Sequence, residues 1–221
     1  MATSNTTTFD LSIDDLVEEA FERCGMRPTA GYQLSSARRS LNLVFLDWAS
    51  RGLNLWTIEQ VTYPLTQGTA QINLPADTVN ILSAVIRQAS QGINSDVSID
   101  RISREDYLAL PDKTSEARPA QFYVERSNQP KVYLYPAADQ SYTFVCYRIR
   151  RIQDAGNYTN TADVNFRFLP CLVSGLAFQL SLKYAPERVQ MLKALYEEDF
   201  QRAALADRDT ASLFITPSVG Y

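Results

Sequence analysis

The sequence contains no histidine among its 221 residues. Histidine is the usual base that activates a serine or cysteine nucleophile, so serine–histidine and cysteine–histidine hydrolases are excluded. None of the three cysteines has the CxxC spacing of a zinc site, and no glycine-rich phosphate loop occurs. We therefore expect no cofactor, no metal ion and no enzymatic activity.

The sequence also lacks an excess of positive charge and lacks long apolar runs. The formal net charge is -4, which gives no excess of lysine and arginine for gripping nucleic acid. The N-terminus lacks the basic start and apolar run of a signal peptide, and no span of about 18 apolar residues follows. We expect neither export nor membrane insertion. Cys24, Cys146 and Cys171 have apolar neighbours, which predicts reduced, buried thiols in a cytosolic setting.

Helical patterns come first along the chain. After a polar arm, Ser12 with Asp15 three residues later predicts a capped helix that ends at Gly25. A second apolar stripe with helical spacing runs over about 33–50 and stops at Gly52. We expect these two helices to pack as a hairpin.

Two further helices close the pattern. Residues 167–185 are apolar around most of the helical circumference, which predicts a buried central helix. Pro186 opens the next helix, whose apolar stripe covers a single face.

Between the helices the spacing changes to that of strands. Residues 55–65 and 70–75 suggest a hairpin closed by Gly68, and residues 81–88 and 96–103 suggest a second pair. A short helix is expected from Ser103 to Pro111. Residues 118–152 then alternate apolar side chains with tyrosines in three runs, which is typical of an antiparallel meander. Such tyrosines are most often ordinary strand residues, with an interface role as the second interpretation.

The pattern as a whole predicts an α+β fold, in which a helical bundle from the N- and C-terminal helices packs beside a central antiparallel β domain. The expected divisions are an N-terminal arm and helical hairpin, a central β domain, the C-terminal helices that complete the bundle, and an extended C-terminal tail: 1–54, 55–160, 161–206 and 207–221.

The tail is unusual because it carries several apolar residues without a helical stripe. Leaving such a side chain in water costs roughly 1.5–3 kcal/mol relative to burial, so we expect the tail to dock. It could fold back on its own domain, or it could bind a neighbouring subunit or another protein. The candidate partner-binding residues are Leu213, Phe214, Ile215, Val219 and Tyr221.

Arginines form a second candidate surface. Arg148 and Arg150 alternate along one strand, with Arg151 at its end. They could be a solvated face paired with neighbouring acids. Alternatively, they form an interface charge patch for an acidic surface on a partner subunit.

Adjacent carboxylates occur at four places, of which Glu105–Asp106 is the one considered for catalysis. An acid–base hydrolase, for example one that degrades cell wall, would use one of them with a raised pKa. Neighbouring acids on a predicted helix point apart, and acids in the first turn favour the helix dipole, so we expect a structural role instead.

Several short stretches together resemble the head-to-tail adaptors of tailed bacteriophages, in particular the tail accessory or tubular tail A proteins of short-tailed phages. The resemblance covers roughly residues 10–205. It rests on Trp48 and Gly52 before the first strand, residues 74–76, Tyr107 with Leu110 and Pro111, and the runs 119–123 and 131–136.

This resemblance implies a structural protein of the virion that is assembled in the host cytoplasm. Such adaptors typically form a ring of twelve copies beneath the portal protein, and they continue the DNA channel to the tail tube or nozzle protein. Double-stranded DNA would pass through without specific binding, which suits the acidic composition. The C-terminal extension, here residues 207–221, would contact the portal, although the N-terminal arm could do so instead. A tail-completion or neck protein elsewhere in the tail is the other structural interpretation.

Overall fold

The computed structural model describes residues 5, 11–27, 31–52, 55–90 and 93–206. These residues form two compact units. The helical unit takes its described residues from Met1–Leu53 and Gln153–Tyr221, and the β unit takes them from Asn54–Ile152. The described helices include none that is long and apolar enough to cross a membrane.

The described elements confirm the predicted α+β class. The α-helices in chain order are α1 (Ile13–Arg23), α2 (Gly31–Arg51), α3 (Arg104–Ala109), α4 (Leu169–Tyr184) and α5 (Val189–Ala206). The strands are β1 (Ile58–Leu65), β2 (Gln71–Asn73), β3 (Thr78–Ser90), β4 (Ile93–Ser98), β5 (Asp100–Arg101), β6 (Gln121–Glu125), β7 (Lys131–Tyr135) and β8 (Tyr142–Arg150). All strands and α3 belong to the β unit.

The ends of α1 follow the predicted signals. The Asp15 backbone N–H donates to Ser12 Oγ at 3.1 Å, and the Ser12 N–H donates to Asp15 Oδ2 at 3.0 Å. This reciprocal pair satisfies two backbone donors that the first turn of a helix leaves free. Gly25, with a φ of +75°, terminates the helix in the left-handed region that favours glycine.

Helix α4 is the centre of the helical unit, as its apolar circumference predicted. Leu172, Leu176 and Leu180 are fully buried, and α1, α2 and α5 all pack against α4. Gly175 allows close approach, because a Cβ there would lie 2.9 Å from Cε2 of Tyr196 on α5. The expected hairpin of α1 and α2 is therefore only a minor contact, since α4 offers both apolar stripes a larger surface.

The β unit contains two four-stranded sheets. Their strand orders are β1-β8-β3-β4 and β2-β7-β6-β5, and all pairs are antiparallel except β5 with β6. One apolar core receives side chains from both sheets: Phe122 of β6 and Phe144 of β8 lie with ring centroids 6.3 Å apart. Alternation along each strand directs one face of each sheet to this core.

Strand partners were predicted less well than strands. The predicted pair of 81–88 with 96–103 is confirmed where β3 meets β4, with Val85 opposite Ser98, but residues 100–101 form β5 of the other sheet. The expected hairpin of β1 with β2 is wrong, because β1 pairs with β8 and β2 pairs with β7. The expected meander is right for β6 with β7 but wrong for β8, which belongs to the other sheet. Alternation shows which face of a strand is buried but not which strand lies beside it.

Candidate interaction surfaces

Arg148 of β8 holds the first charged cluster, in the β unit. Its Nε donates to Glu59 Oε1 of β1 at 2.5 Å, and its Nη1 donates to Asp77 Oδ1 and to Thr78 Oγ1, both at 2.7 Å. Only 8% of the Arg148 side chain is exposed. One guanidinium therefore links β8 to β1 on one side and to the start of β3 on the other.

The surroundings of Arg148 keep it charged. Burial alone would lower its pKa, but the hydrogen bonds to Asp77 and Glu59 outweigh burial and raise the pKa. A buried cation with several charge-assisted hydrogen bonds fixes the positions of its partners.

The three arginines of the predicted charge patch therefore differ in their surroundings. Arg148 has the internal pairing that the sequence left open as the first interpretation. Arg150 shares an acid with it, since its Nε lies 3.7 Å from Glu59 Oε2. Arg151 is exposed. The contact of Arg150 and Arg151 with a partner stays a prediction.

A second charged cluster joins α2 to α5 in the helical unit. Arg51 makes a bidentate ion pair with Glu197, with both N–O distances at 2.9 Å. Its guanidinium carbon lies 4.4 Å from the centroid of the Phe200 ring, a cation–π geometry. Beside it, Trp48 Nε1 donates to Tyr196 Oη at 3.0 Å, and Tyr196 Oη donates to an Asp47 oxygen at 2.8 Å.

These contacts change the acidities of the groups involved. The hydrogen bond from Arg51 lowers the pKa of Glu197, and the same contact raises the pKa of Arg51. Burial, followed by the hydrogen bond to Asp47, raises the pKa of Tyr196. Tyr196 therefore stays a neutral donor at ordinary pH, and the cluster serves as a fixed polar link between two helices.

Three of the strand-region tyrosines contact one another. The ring centroid of Tyr107 on α3 lies 5.5 Å from that of Tyr123 and 5.3 Å from that of Tyr133. Arg104 Nε also donates to Tyr123 Oη at 2.9 Å. This stack holds α3 against β6 and β7, so these rings have partners inside the β unit.

The carboxylates considered for catalysis lie in α3. Asp106 accepts from the Ser103 hydroxyl at 2.7 Å and from the Ser103 backbone N–H at 3.2 Å, as a capping box. The side-chain hydrogen bond from Ser103 is the main cause that lowers the pKa of Asp106. A hydrolase acid needs a raised pKa, so this environment favours capping. Among the described residues, no three carboxylate or thiol groups gather closely enough to hold a metal ion.

The predicted tail residues Leu213, Phe214, Ile215, Val219 and Tyr221 lie outside the described residues. The described chain ends with α5, where Arg167 Nη1 donates to the Ala206 carbonyl oxygen at 2.7 Å. Tail docking stays a prediction.

Sequence reasoning missed the α2–α5 cluster. Glu197 and Arg51 are 146 residues apart, so no local pattern in the sequence connects them. The available signal was local: Asp47 and Arg51 are one helical turn apart beside a tryptophan, which is typical of a polar link at the edge of an apolar face.

A family model described as SU10 adaptor protein matches residues 11–218. A search of curated proteins finds no match to the chain.

Proposed function

The chain belongs to the SU10 adaptor protein family, and from this premise we propose that it is the head-to-tail connector of a short-tailed bacteriophage. In this proposal, copies assemble as a ring of twelve beneath the portal and continue the DNA channel toward the tail. The protein is a phage adaptor with a structural role in the virion.

The extent of the family match carries the proposal. The match includes both units and most of the tail, so it reflects the whole architecture rather than a shared subdomain. The charge is compatible with the role, because a net charge of -4 disfavours tight binding of passing DNA.

The C-terminal tail of the chain, residues 207–221, supplies the proposed portal contact. Its candidate binding residues begin at Leu213, seven positions after the end of α5, and burying each of three large side chains is worth roughly 1.5–3 kcal/mol. An extended segment with this composition can add a strand to a partner or fill a groove on it. The portal is the proposed partner, and the tail tube or nozzle protein is the proposed partner on the opposite side of the ring.

Replacing three tail residues by serine tests this contact. The variant Leu213→Ser, Phe214→Ser, Ile215→Ser should bind portal-bearing, tailless particles at least about a hundredfold more weakly than the original chain, because about 3 kcal/mol or more of burial is lost. Sedimentation of particles with labelled protein measures the binding. Deletion of residues 207–221 should abolish it while circular dichroism of the helices is unchanged.

The matched control replaces polar tail residues instead. Thr210→Ala, Ser212→Ala and Thr216→Ala together should leave attachment within a few fold of the original. Full attachment of the deletion variant would show that residues 207–221 do not make the portal contact. Binding of the original chain to completed tails but not to portals would identify a tail-completion or neck protein instead.

A further inference from the structure

The outward face of α2 is apolar. Tyr32, Leu43 and Leu46 are each more than half exposed, and at helical spacing they lie on one side of the helix. The one charged residue on this side is Arg39, which is exposed and pairs with no acid among the described residues. We call these four residues the α2 face.

The outward side of another helix in the helical unit has a different composition. The outward side of α1, in the same unit, carries almost only charges: Asp14, Glu18, Glu19, Glu22 and Arg23. A helix whose outer side meets water normally has this composition. The α2 face therefore has the composition of a surface that another protein covers.

Helix α5 has a second apolar face. Met191 and Leu205 are more than half exposed, and Leu195 between them is 37% exposed. Glu198 lies on the same side, where it pairs with Arg202 at 2.7 Å. Arg202 lies on this side as well, so we call Met191, Leu195, Glu198, Arg202 and Leu205 the α5 face.

One copy cannot cover one face with the other. Helices α2 and α5 contact each other through their opposite sides, where Trp48 and Tyr196 are buried and hydrogen-bonded. Each apolar face therefore points away from the other helix of the pair, so the two faces of one copy cannot cover each other.

The two faces match in length, and each has a charged residue at its midpoint. Tyr32 and Leu46 are fourteen positions apart, and so are Met191 and Leu205, which gives both faces a length of about 21 Å. Arg39 is seven positions after Tyr32, and Glu198 is seven positions before Leu205.

We infer that the α2 face of one copy packs antiparallel against the α5 face of a second copy. In this register Tyr32 lies opposite Leu205, Leu46 opposite Met191, and Arg39 opposite Glu198. A parallel register would place Leu43 opposite Arg202, an apolar residue against a charge. Arg39 lies opposite Glu198 in either direction, so Arg202 decides between the registers. The antiparallel register is favoured because it places Arg202 opposite Ser35 and leaves the apolar residues opposite one another.

This contact joins two different surfaces, so each copy uses both faces at once. Head-to-tail contacts of this kind generate rings when the rotation closes. The inference deepens the proposed function, on which its biological meaning rests, by assigning the surfaces through which adjacent copies of the ring meet.

Directed disulfide formation tests the contact. Leu46→Cys and Met191→Cys are made as separate single variants of the full chain, and they are oxidised alone and mixed, both in concentrated solution and on portal-bearing particles. The mixture should form covalent dimers at least tenfold more than either variant alone, because the residues meet only between two different faces. The native cysteines will not interfere, since all three are buried and burial raises the pKa of each thiol.

A matched control uses the charged helix. Glu18 on the outward side of α1 is also exposed, and the mixture of Glu18→Cys with Met191→Cys should stay at background. A charge exchange gives a second measurement: Arg39→Glu and Glu198→Arg should each weaken association about three- to tenfold, and the double variant should restore it.

The outcomes separate this inference from the proposed function. Cross-linking without attachment to portal-bearing particles supports the α2–α5 contact and contradicts the head-to-tail role. Attachment with only background cross-linking, in solution and on particles, overturns the contact and leaves the role intact. Loss of portal binding by Arg39→Glu without any cross-linking would also overturn it, because the α2 face would then belong to the portal.

Discussion

Arg148 in the β unit and Arg51 in the helical unit each pair with a carboxylate that is distant in the sequence, and the two arginines differ mainly in burial. Arg148 in the β unit is 8% exposed and reaches Glu59, 89 residues away. Arg51 in the helical unit is 29% exposed and reaches Glu197, 146 residues away. The chemistry of the two pairs is the same, but the arginine itself is buried in the first pair and partly exposed in the second.

This difference indicates that the two links contribute differently to stability. A partly exposed ion pair gains little free energy, because water and salt screen it. A buried arginine contributes mostly through what its removal leaves behind, namely acids without a partner. We therefore expect the β unit to depend on its arginine more than the helical unit does.

Replacement of Arg148 should have the largest effect. Arg148→Met should lower the free energy of unfolding of the β unit by about 2–3 kcal/mol, somewhat below the value for a fully buried pair because Glu59 and Asp77 are partly hydrated. Urea denaturation followed by hydrogen exchange of β8 amides measures it. A loss below about 1 kcal/mol would contradict the importance assigned to burial.

The equivalent change in the helical unit should cost less. Arg51→Met should lower the free energy of unfolding by about 1 kcal/mol, since methionine keeps much of the contact with Phe200 and the lost ion pair is partly exposed. Hydrogen exchange of α4 amides in urea reports on this unit. An equal or larger loss than for Arg148→Met would reverse the comparison.

Lowering the pH should remove the stabilisation that comes from the Arg51–Glu197 ion pair. Arg51 lowers the pKa of Glu197 in the folded state, so the stabilisation is complete above the unfolded pKa of about 4.3 and is lost as pH falls through the lower, folded pKa. The original chain should therefore lose more helical-unit stability than Arg51→Met between about pH 5 and pH 3. Denaturation curves of both proteins at these pH values measure the difference. Parallel pH profiles would show that the ion pair contributes nothing.

The smallest effect is expected at an exposed pair within the β unit. Arg87 and Asp96 form an ion pair at 2.7 Å across β3 and β4, and the hydrogen bond from Arg87 lowers the pKa of Asp96. Arg87→Met should nevertheless leave the melting temperature unchanged within error, because water solvates both charges when they separate. A clear drop in melting temperature would show that geometry matters more than burial for these pairs.

The features that could be predicted from the sequence depend on near neighbours. The cap of α1 needs only Ser12 and Asp15, and the cap of α3 needs only Ser103 and Asp106. The buried character of α4 follows from its own composition. In each case the interacting residues are within one turn, so the pattern contains the whole interaction.

The features that could not be predicted depend on distant partners. Nothing near β1 in the sequence indicates that it pairs with β8, and nothing near Arg148 indicates that Glu59 and Asp77 reach it. The same holds for Arg51 and Glu197. These contacts are fixed by packing of the complete core, whereas periodicity reports only which side of an element is buried.

The helical unit is built from both ends of the sequence, which affects when it can fold during synthesis. Helix α2 ends at Arg51 but α4 starts at Leu169, and the whole β unit is translated between them. At a rate of about 5–20 residues per second, α1 and α2 wait roughly 5 to 25 s for the helix that covers them. During that interval their apolar sides are open to chaperones, while the strands can already fold. A nascent chain therefore cannot offer both the α2 face and the α5 face until α5 has left the ribosome. Recruitment of further copies is delayed until both units have been translated.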